Sequence, residues 1–302
     1  MSLAMRVYYN AVCGALGGLL AWAVSSLLIH FSTVSFEALL LRDALLGAVV
    51  GLSIGGTLGA VDGLQARNWP QAIRGIRYGG QLGLIGGLVG LLAGEIVFSV
   101  AGGGVWPRAL GWALLGAVVG ASEGIATHAP QKRNYGIIGG ILGGLVGGST
   151  YERISDLLRL LTHNRDLSLT LGGAIGLVML GACLGSLIAL TVIVGRDAWL
   201  HILGGRLEGR EVLIGKPQTT LGASDGCDVY LPGDQAIASQ HAVLTRHNNG
   251  YALTVAQQAT PITVNQQTIT PGTTVGLRGG ERIRIGTTPL VFRLDGVAEV
   301  ES

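Results

Sequence analysis

Catalysis needs acids, bases, nucleophiles or metal ligands at fixed spacing, and this chain carries few of them. Its six histidines, His30, His128, His163, His201, His241 and His247, are scattered. The three cysteines, Cys13, Cys183 and Cys227, form no C-x-x-C pair, so neither a metal site nor a disulfide framework is expected. No G-x-S-x-G, H-E-x-x-H or phosphate-loop G-K-[ST] motif occurs. The expectation is a protein that binds rather than catalyses, with no cofactor. Three acids stand inside apolar runs: Asp62, Glu95 and Glu123. Such residues handle ions or protons, or pair for structural reasons. Asp62 and Glu123 fall near the ends of their runs, where water reaches. Glu95 lies deeper, in GLLAGEIVFSV, and is expected to pair with Arg108 across a short loop. A structural role is the plainer expectation for all three.

The elements that hold these residues follow from composition. Of 302 residues, 49% are apolar, only 13% are charged and 51 are glycine, with a mean hydropathy of +0.52. A disordered chain would be polar and charged. Collagen would show a three-residue glycine period. The glycines concentrate in residues 1–200, which hold 37 of them. Residues 201–302 read as an ordinary domain, large enough to bury its own core. Net charge is +2 overall, which gives no reason to expect a nucleic-acid partner.

A helix needs about 20 apolar residues to cross a bilayer. Six stretches qualify: 8–29, 43–64, 77–100, 108–127, 134–151 and 169–194, the fifth being short and glycine-rich. The breaks between them carry charges and prolines: Glu37–Arg42, Arg67–Arg77 with Pro70, Gly102–Arg108 with Pro107, His128–Arg133 with Pro130, and Glu152–Asp166. The spans repeat. LLGAVVG occurs at 45–51 and 114–120, and MLGACLG at 179–185 is a looser third copy. The odd spans share Gly17-Gly18-Leu19, Gly86-Gly87-Leu88 and Gly143-Gly144-Leu145. These markers predict three helical-hairpin repeats. Gly47, Gly51, Gly55 and Gly59 recur every fourth residue, as do Gly136, Gly140 and Gly144, so each set lines one helix face. Such glycine zippers let helix backbones approach closely in lipid. Stripes left exposed would also allow self-association into a homo-oligomer. Lys and Arg are biased, seven against five, toward the side holding Arg6, Arg67, Arg74, Arg77, Lys132, Arg133 and Arg196. Both termini are therefore expected on the cytoplasmic side of the membrane.

From about 207 the pattern changes to short apolar alternations between turn residues. Strands are expected at 211–215, 218–222, 228–231, 241–247, 250–256, 262–265, 273–277, 281–286 and 289–294, which argues an all-β sandwich. The expected division is a transmembrane domain 1–198, a linker 199–206, the sandwich 207–295 and a tail 296–302.

The run LGASDGCDVYL (221–231), IASQHAVL (237–244), GYALTV, ITVNQQTI (262–269) and LRGGERIRIGTTPLVF (277–292) resembles the forkhead-associated (FHA) domain. That family is a β-sandwich that binds phosphothreonine peptides through loops at one end. In bacteria it often accompanies Ser/Thr kinase signalling or secretion machinery. The resemblance implies peptide contacts near Gly222, Ser224, Ser239, His241, Arg246 and Asn265. Three family contacts are replaced here. The usual Gly-Arg pair is Gly222-Ala223, the serine of Ser-x-x-His is Ala238, and the peptide-holding asparagine is Thr260. A phosphate needs charge-assisted donors. One such bond lost costs about 1.5–3 kcal/mol, roughly ten- to a hundred-fold in affinity. Losing all three predicts that ordinary phosphothreonine binding is abolished unless Ser224, Ser239 or Arg246 compensates. The expected function is a membrane-anchored adaptor that recruits a protein or phosphopeptide in signalling. The competing expectation is a small channel or transporter regulated by its FHA-like domain.

Overall fold

The structure, a computed structural model, describes residues 3–28, 35–100, 105–161, 165–247 and 250–295, with side chains at 105–108, 152, 155, 159 and 165–169 set aside. The expected Glu95–Arg108 pair and the tail 296–302 lie outside what is described. The chain divides into two compact units, Ser2–Val194 and Gly195–Ser302.

The first unit is six helices: α1 (Leu3–Leu28), α2 (Phe36–Gln65), α3 (Trp69–Val100), α4 (Val105–Ala126), α5 (Pro130–Leu161) and α6 (Arg165–Val194). Among the described residues, five of these helices are long and apolar enough to cross a membrane. The sixth, α5, has the length, but its seven glycines and its charges hold its hydropathy down. It also runs beyond the expected span 134–151. YERISDLLRLL contains no glycine or proline to stop a helix, so the expected loop continues it. Likewise Glu37–Arg42 is not a break: Ser35 accepts a hydrogen bond from the Ala38 amide (3.2 Å) and starts α2 ahead of it. Pro70 and Pro130 stand in the first turns of α3 and α5, where a missing N–H costs nothing.

Each helix packs on its neighbours in sequence, and α6 returns to α1. The closest approaches are α2 on α3, α4 on α5 and α6 on α1. Gly47, Gly51, Gly55 and Gly59 lie against Gly87, Gly83, Gly79 and Gly75. Gly116 and Gly120 lie against Gly140 and Gly136, and Gly144 against Trp112. Gly14 meets Gly181, and Gly18 meets Leu177. A Cβ at Gly51 or Gly140 would overlap the carbonyl of the facing helix. The glycine stripes expected to be available for self-association therefore face partners within the chain. The α2–α3 and α4–α5 turns share one hydrogen-bond pattern, with Arg67 and His128 both at positive φ (50° and 53°). The centre is apolar: Val50 and Ile54 of α2, Leu115 and Val119 of α4, and Leu177, Leu180 and Leu184 of α6 are each at most 3% exposed. Val50, Val119 and Leu184 are the sixth residues of the three repeated heptapeptides.

The second unit is a two-sheet sandwich. Its strands are β1 (Ala198–Ile202), β2 (Glu211–Leu213), β3 (Gln218–Gly222), β4 (Val229–Tyr230), β5 (Ala242–His247), β6 (Gly250–Val255), β7 (Ile262–Val264), β8 (Gln267–Ile269), β9 (Thr274–Leu277), β10 (Arg282–Ile285) and β11 (Thr288–Leu294). One sheet runs β2-β1-β11-β10-β7-β8 and the other β4-β3-β5-β6-β9. All nine expected strands form, and β1 and β8 add to them. β1 lies largely within the expected linker. It pairs with β11 from Ala198↔Leu294 to Ile202↔Leu290, burying Ala198, Leu200 and Ile202. Its AWLHI alternation is short and directly follows α6, which hid it. Between the sheets, Leu200, Leu221, Leu244, Leu253, Ile262, Ile285 and Phe292 are almost wholly buried. Phe292 meets Tyr251 edge-on at 5.2 Å.

Candidate peptide-binding loops of the sandwich

At one end of the sandwich, the β3–β4 turn, the β4–β5 loop and the β6–β7 loop meet. The first two are laced by backbone. The Ala223 and Ser224 amides donate to the Ala238 and Ser239 carbonyls (3.0 Å each), and the His241 amide donates to the Leu221 carbonyl (2.8 Å). Gly222 permits this, because any Cβ there would strike the Ser239 carbonyl. The Cys227 thiol donates to the same carbonyl at 3.1 Å. Ser224 Oγ accepts from the Gly226 amide (3.2 Å), closing the turn between β3 and β4.

His241 is fully buried and holds the loop from beneath. Its Nδ1 accepts from the Ala238 amide at 3.1 Å. Burial pushes its pKa below the usual histidine value, with the Thr260 backbone and Asp234 opposing. Thr260 ties the third loop on by donating from Oγ1 to the Ala236 carbonyl (3.0 Å). Asp234 fastens the same loop to the β10–β11 turn. Its carboxylate accepts from the Ala236 amide (2.8 Å), the Thr287 amide (2.6 Å) and the Thr287 hydroxyl (2.8 Å). These bonds, led by the Thr287 amide, hold its pKa below the ordinary aspartate value. Sequence reasoning missed Asp234 and Thr260 as anchors. The turn residues Pro232-Gly233-Asp234 and Gly286-Thr287 were the available signal.

The six residues expected at the site do not all converge. Gly222, Ser224, Ser239 and His241 do. Ser239 is exposed and Ser224 half-buried, while Gly222 and His241 are buried supports. Arg246 is at the other end of β5, about 17 Å along the strand at 3.4 Å per residue, paired with Asp197 at 2.8 Å. Asn265 is likewise remote. It sits at φ 46° in the β7–β8 turn, accepting from the Arg282 amide (2.9 Å) and donating to Glu281 (3.1 Å). Neither reaches the loop end, so the compensating role expected of Arg246 and the peptide contact expected of Asn265 are corrected to structural ones.

Two of the three replaced family contact positions carry alanine, and the third carries the loop-tying Thr260. Ala223 and Ala238 are packed against the sandwich core. From Pro217 to Thr245 the chain carries three aspartates and no lysine or arginine. One of these, Asp228, is neutralised by Lys216 at 2.6 Å. Arg206 lies against this end, its aliphatic stem on Gly233.

The helical unit holds a second polar cluster. Lys132 of α5 donates to Asp62 of α2 (2.8 Å) and Glu123 of α4 (2.7 Å), and Arg6 of α1 approaches Asp62 at 3.9 Å. Two acids expected near water at the ends of their spans are thus joined by one lysine across three helices, and Arg6 brings in a fourth. Glu95 is 6% exposed. Among the described residues no group of histidines, cysteines and acids could hold a metal ion.

The fold and these loops define a two-sheet FHA-like sandwich on a chain whose other part is apolar helices. Residues 201–296 match the family described as the inner membrane component of T3SS, cytoplasmic domain. The cytoplasmic domain of the T3SS sorting platform protein PscD from P. aeruginosa is 21% identical, with 35% of this chain and 93% of that one covered (TM-score 0.30). The N-terminal FHA domain of S. cerevisiae Rad53p, solved with a phosphothreonine peptide, is 15% identical over 33% and 94% (TM-score 0.30). The FHA domain of the CT664 protein from Chlamydia trachomatis is 19% identical over 32% and 96% (TM-score 0.29). A comparison with curated proteins gave no match.

Proposed function

We propose that this chain is a membrane-embedded adaptor whose sandwich recruits a protein partner through its loop end without requiring phosphate. The observation that carries this reading is the fate of the family's contact positions. Ala223 and Ala238 are partly buried against the core and carry no polar side chain, so the loops keep their architecture but offer a phosphate no charged donor at those two positions. Between Pro217 and Thr245 the chain supplies three aspartates, one of them paired with Lys216, and no lysine or arginine to meet a phosphate carrying nearly two negative charges. Exposed Ser239, half-buried Ser224 and the loop backbone remain to bind an extended peptide. The match to an inner-membrane component supports a place in a bacterial inner membrane, with the sandwich in the cytoplasm. It also supports a part in a larger protein assembly rather than in catalysis. Against the competing channel reading stands the apolar centre of the helical unit, filled among the described residues by Val50, Ile54, Leu115, Val119 and Leu184.

The test is site-specific photocrosslinking of the full chain in native membranes. A probe at Ser239 is expected to give one discrete adduct that a probe at Thr268, on β8, does not. Equal labelling from both positions, or labelling from Thr268 alone, would overturn the loop-end assignment.

A further inference from the structure

The first three turns of α3 carry an exposed face that no described residue of the helical unit covers. The helix is 32 residues long, roughly 48 Å at 1.5 Å per residue. About 20 residues suffice for a hydrocarbon core of about 30 Å. Residues 81–100 meet that need with Glu95 as their one ionisable group. Residues 69–80 are therefore left for the headgroup region. There Ala72, Gly75 and Gly79 pack on α2, through Gly63, Gly59 and Gly55. At about 100° per residue, Arg74 and Arg77 fall on the opposite side. Both arginines are exposed, as is Arg67 in the preceding turn. Trp69, Ile73, Ile76 and Tyr78 flank them at 71%, 55%, 47% and 45% exposure.

The neighbouring cations differ. Arg6 and Lys132 face Asp62 and Glu123, whereas Arg67, Arg74 and Arg77 join no ion pair among the described residues. We infer that this face binds the phosphodiester headgroups of anionic lipids. Guanidinium forks suit phosphate oxygens, and long arginine stems reach the interface while their heads stay wet. Tryptophan and tyrosine favour the same depth. The occupant is a lipid rather than a free anion because the cations are interleaved with exposed apolar side chains on a helix long and apolar enough to span. A soluble phosphate would gain nothing from Trp69, Ile73 and Ile76.

The test uses the full chain in neutral detergent with headgroup-labelled phosphatidylglycerol, phosphatidylcholine as control, and inorganic phosphate as competitor. Surface arginines contribute on the order of five-fold each to anionic-lipid binding. The triple variant Arg67→Gln/Arg74→Gln/Arg77→Gln is expected to lose roughly 100-fold in affinity for phosphatidylglycerol, with its helical melting unchanged. The lysine triple variant is expected to keep most of the binding, which separates charge from folding. Equal binding of the two lipids by the natural chain would overturn the assignment. So would retained preference in the glutamine variant, or full competition by millimolar phosphate. A change in oligomeric mass in the glutamine variant would make the face a contact between copies and would equally overturn it.

Discussion

At the residue scale, the loop end depends on positions with little chemistry of their own. Gly222 is the clearest, since any side chain there meets the Ser239 carbonyl. Gly222→Val is expected to destabilise the sandwich by about 1–3 kcal/mol, read as a lower denaturation midpoint with an unchanged slope. His241 gives a pH signature. Burial lowers its pKa in the folded state, so the unfolded chain binds the proton first. Its contribution is intact above about pH 6.5, the ordinary histidine value, and falls away as pH drops below it. Glu211 acts in a lower window. Burial would raise its pKa, but Arg196 at 2.6 Å, with help from His201, holds it below the usual 4.5. Its contribution is present above 4.5 and is lost as pH falls through the lowered value. Unfolding followed from pH 8 to 3 should therefore show two losses. His241→Gln should remove the upper one, and an unchanged profile would refute this account of the histidine. These roles were only half legible in the sequence. The motif order located Gly222, Ser239 and His241 together. Arg246 follows the Ser-x-x-His region closely in sequence and Asn265 stands in a family motif, but strand direction, which carries both away from the loop end, cannot be read from spacing alone.

At the element scale, glycine periodicity was a sound guide to faces but not to partners. The stripes at Gly47–Gly59 and Gly136–Gly144 touch facing helices, and the tightest pairs join α2 to α3, α4 to α5 and α6 to α1. Periodicity records that a face is flat. Which neighbour it meets depends on the loops and on the return of α6 to α1. Gly51→Leu should break the α2–α3 contact and lower the helical melting temperature in detergent. A variant with unchanged melting but reduced oligomeric size would instead mean the stripe faces another copy. The cluster around Lys132 escaped sequence reading because Asp62 lies 61 and 70 residues before Glu123 and Lys132 along the chain. Lys132→Met strands two carboxylates and should cost about 3 kcal/mol. Lys132→Met with Glu123→Gln should recover part of that loss, since Asp62 keeps Arg6. Equal melting of the single and double variants would show that the cluster does not act as a unit.

At the scale of the whole molecule, the composition break near residue 200 marks a change of solvent. Helices with 37 glycines in the first 200 residues would be weak in water, where each glycine costs about 1 kcal/mol against alanine. In lipid the backbone must bond to itself, and the same glycines become contact surface. The sandwich has its own core from Ala198 to Leu294 and should melt independently of the helices. The missed strand β1 has a practical consequence. A fragment beginning at 207 would lack the strand between β2 and β11 and is expected to be insoluble, whereas one beginning at Gly195 should fold.

That fragment, Gly195–Ser302, supports the most direct test of the adaptor reading. It is titrated with a phosphothreonine peptide library and the same peptides unphosphorylated. The natural sequence is expected to show no preference for phosphate. A companion variant carrying Ala223→Arg and Ala238→Ser should gain at least ten-fold toward the phosphorylated set, because it restores charge-assisted donors on an intact scaffold. A clear preference for phosphorylated peptides by the natural fragment would contradict the account.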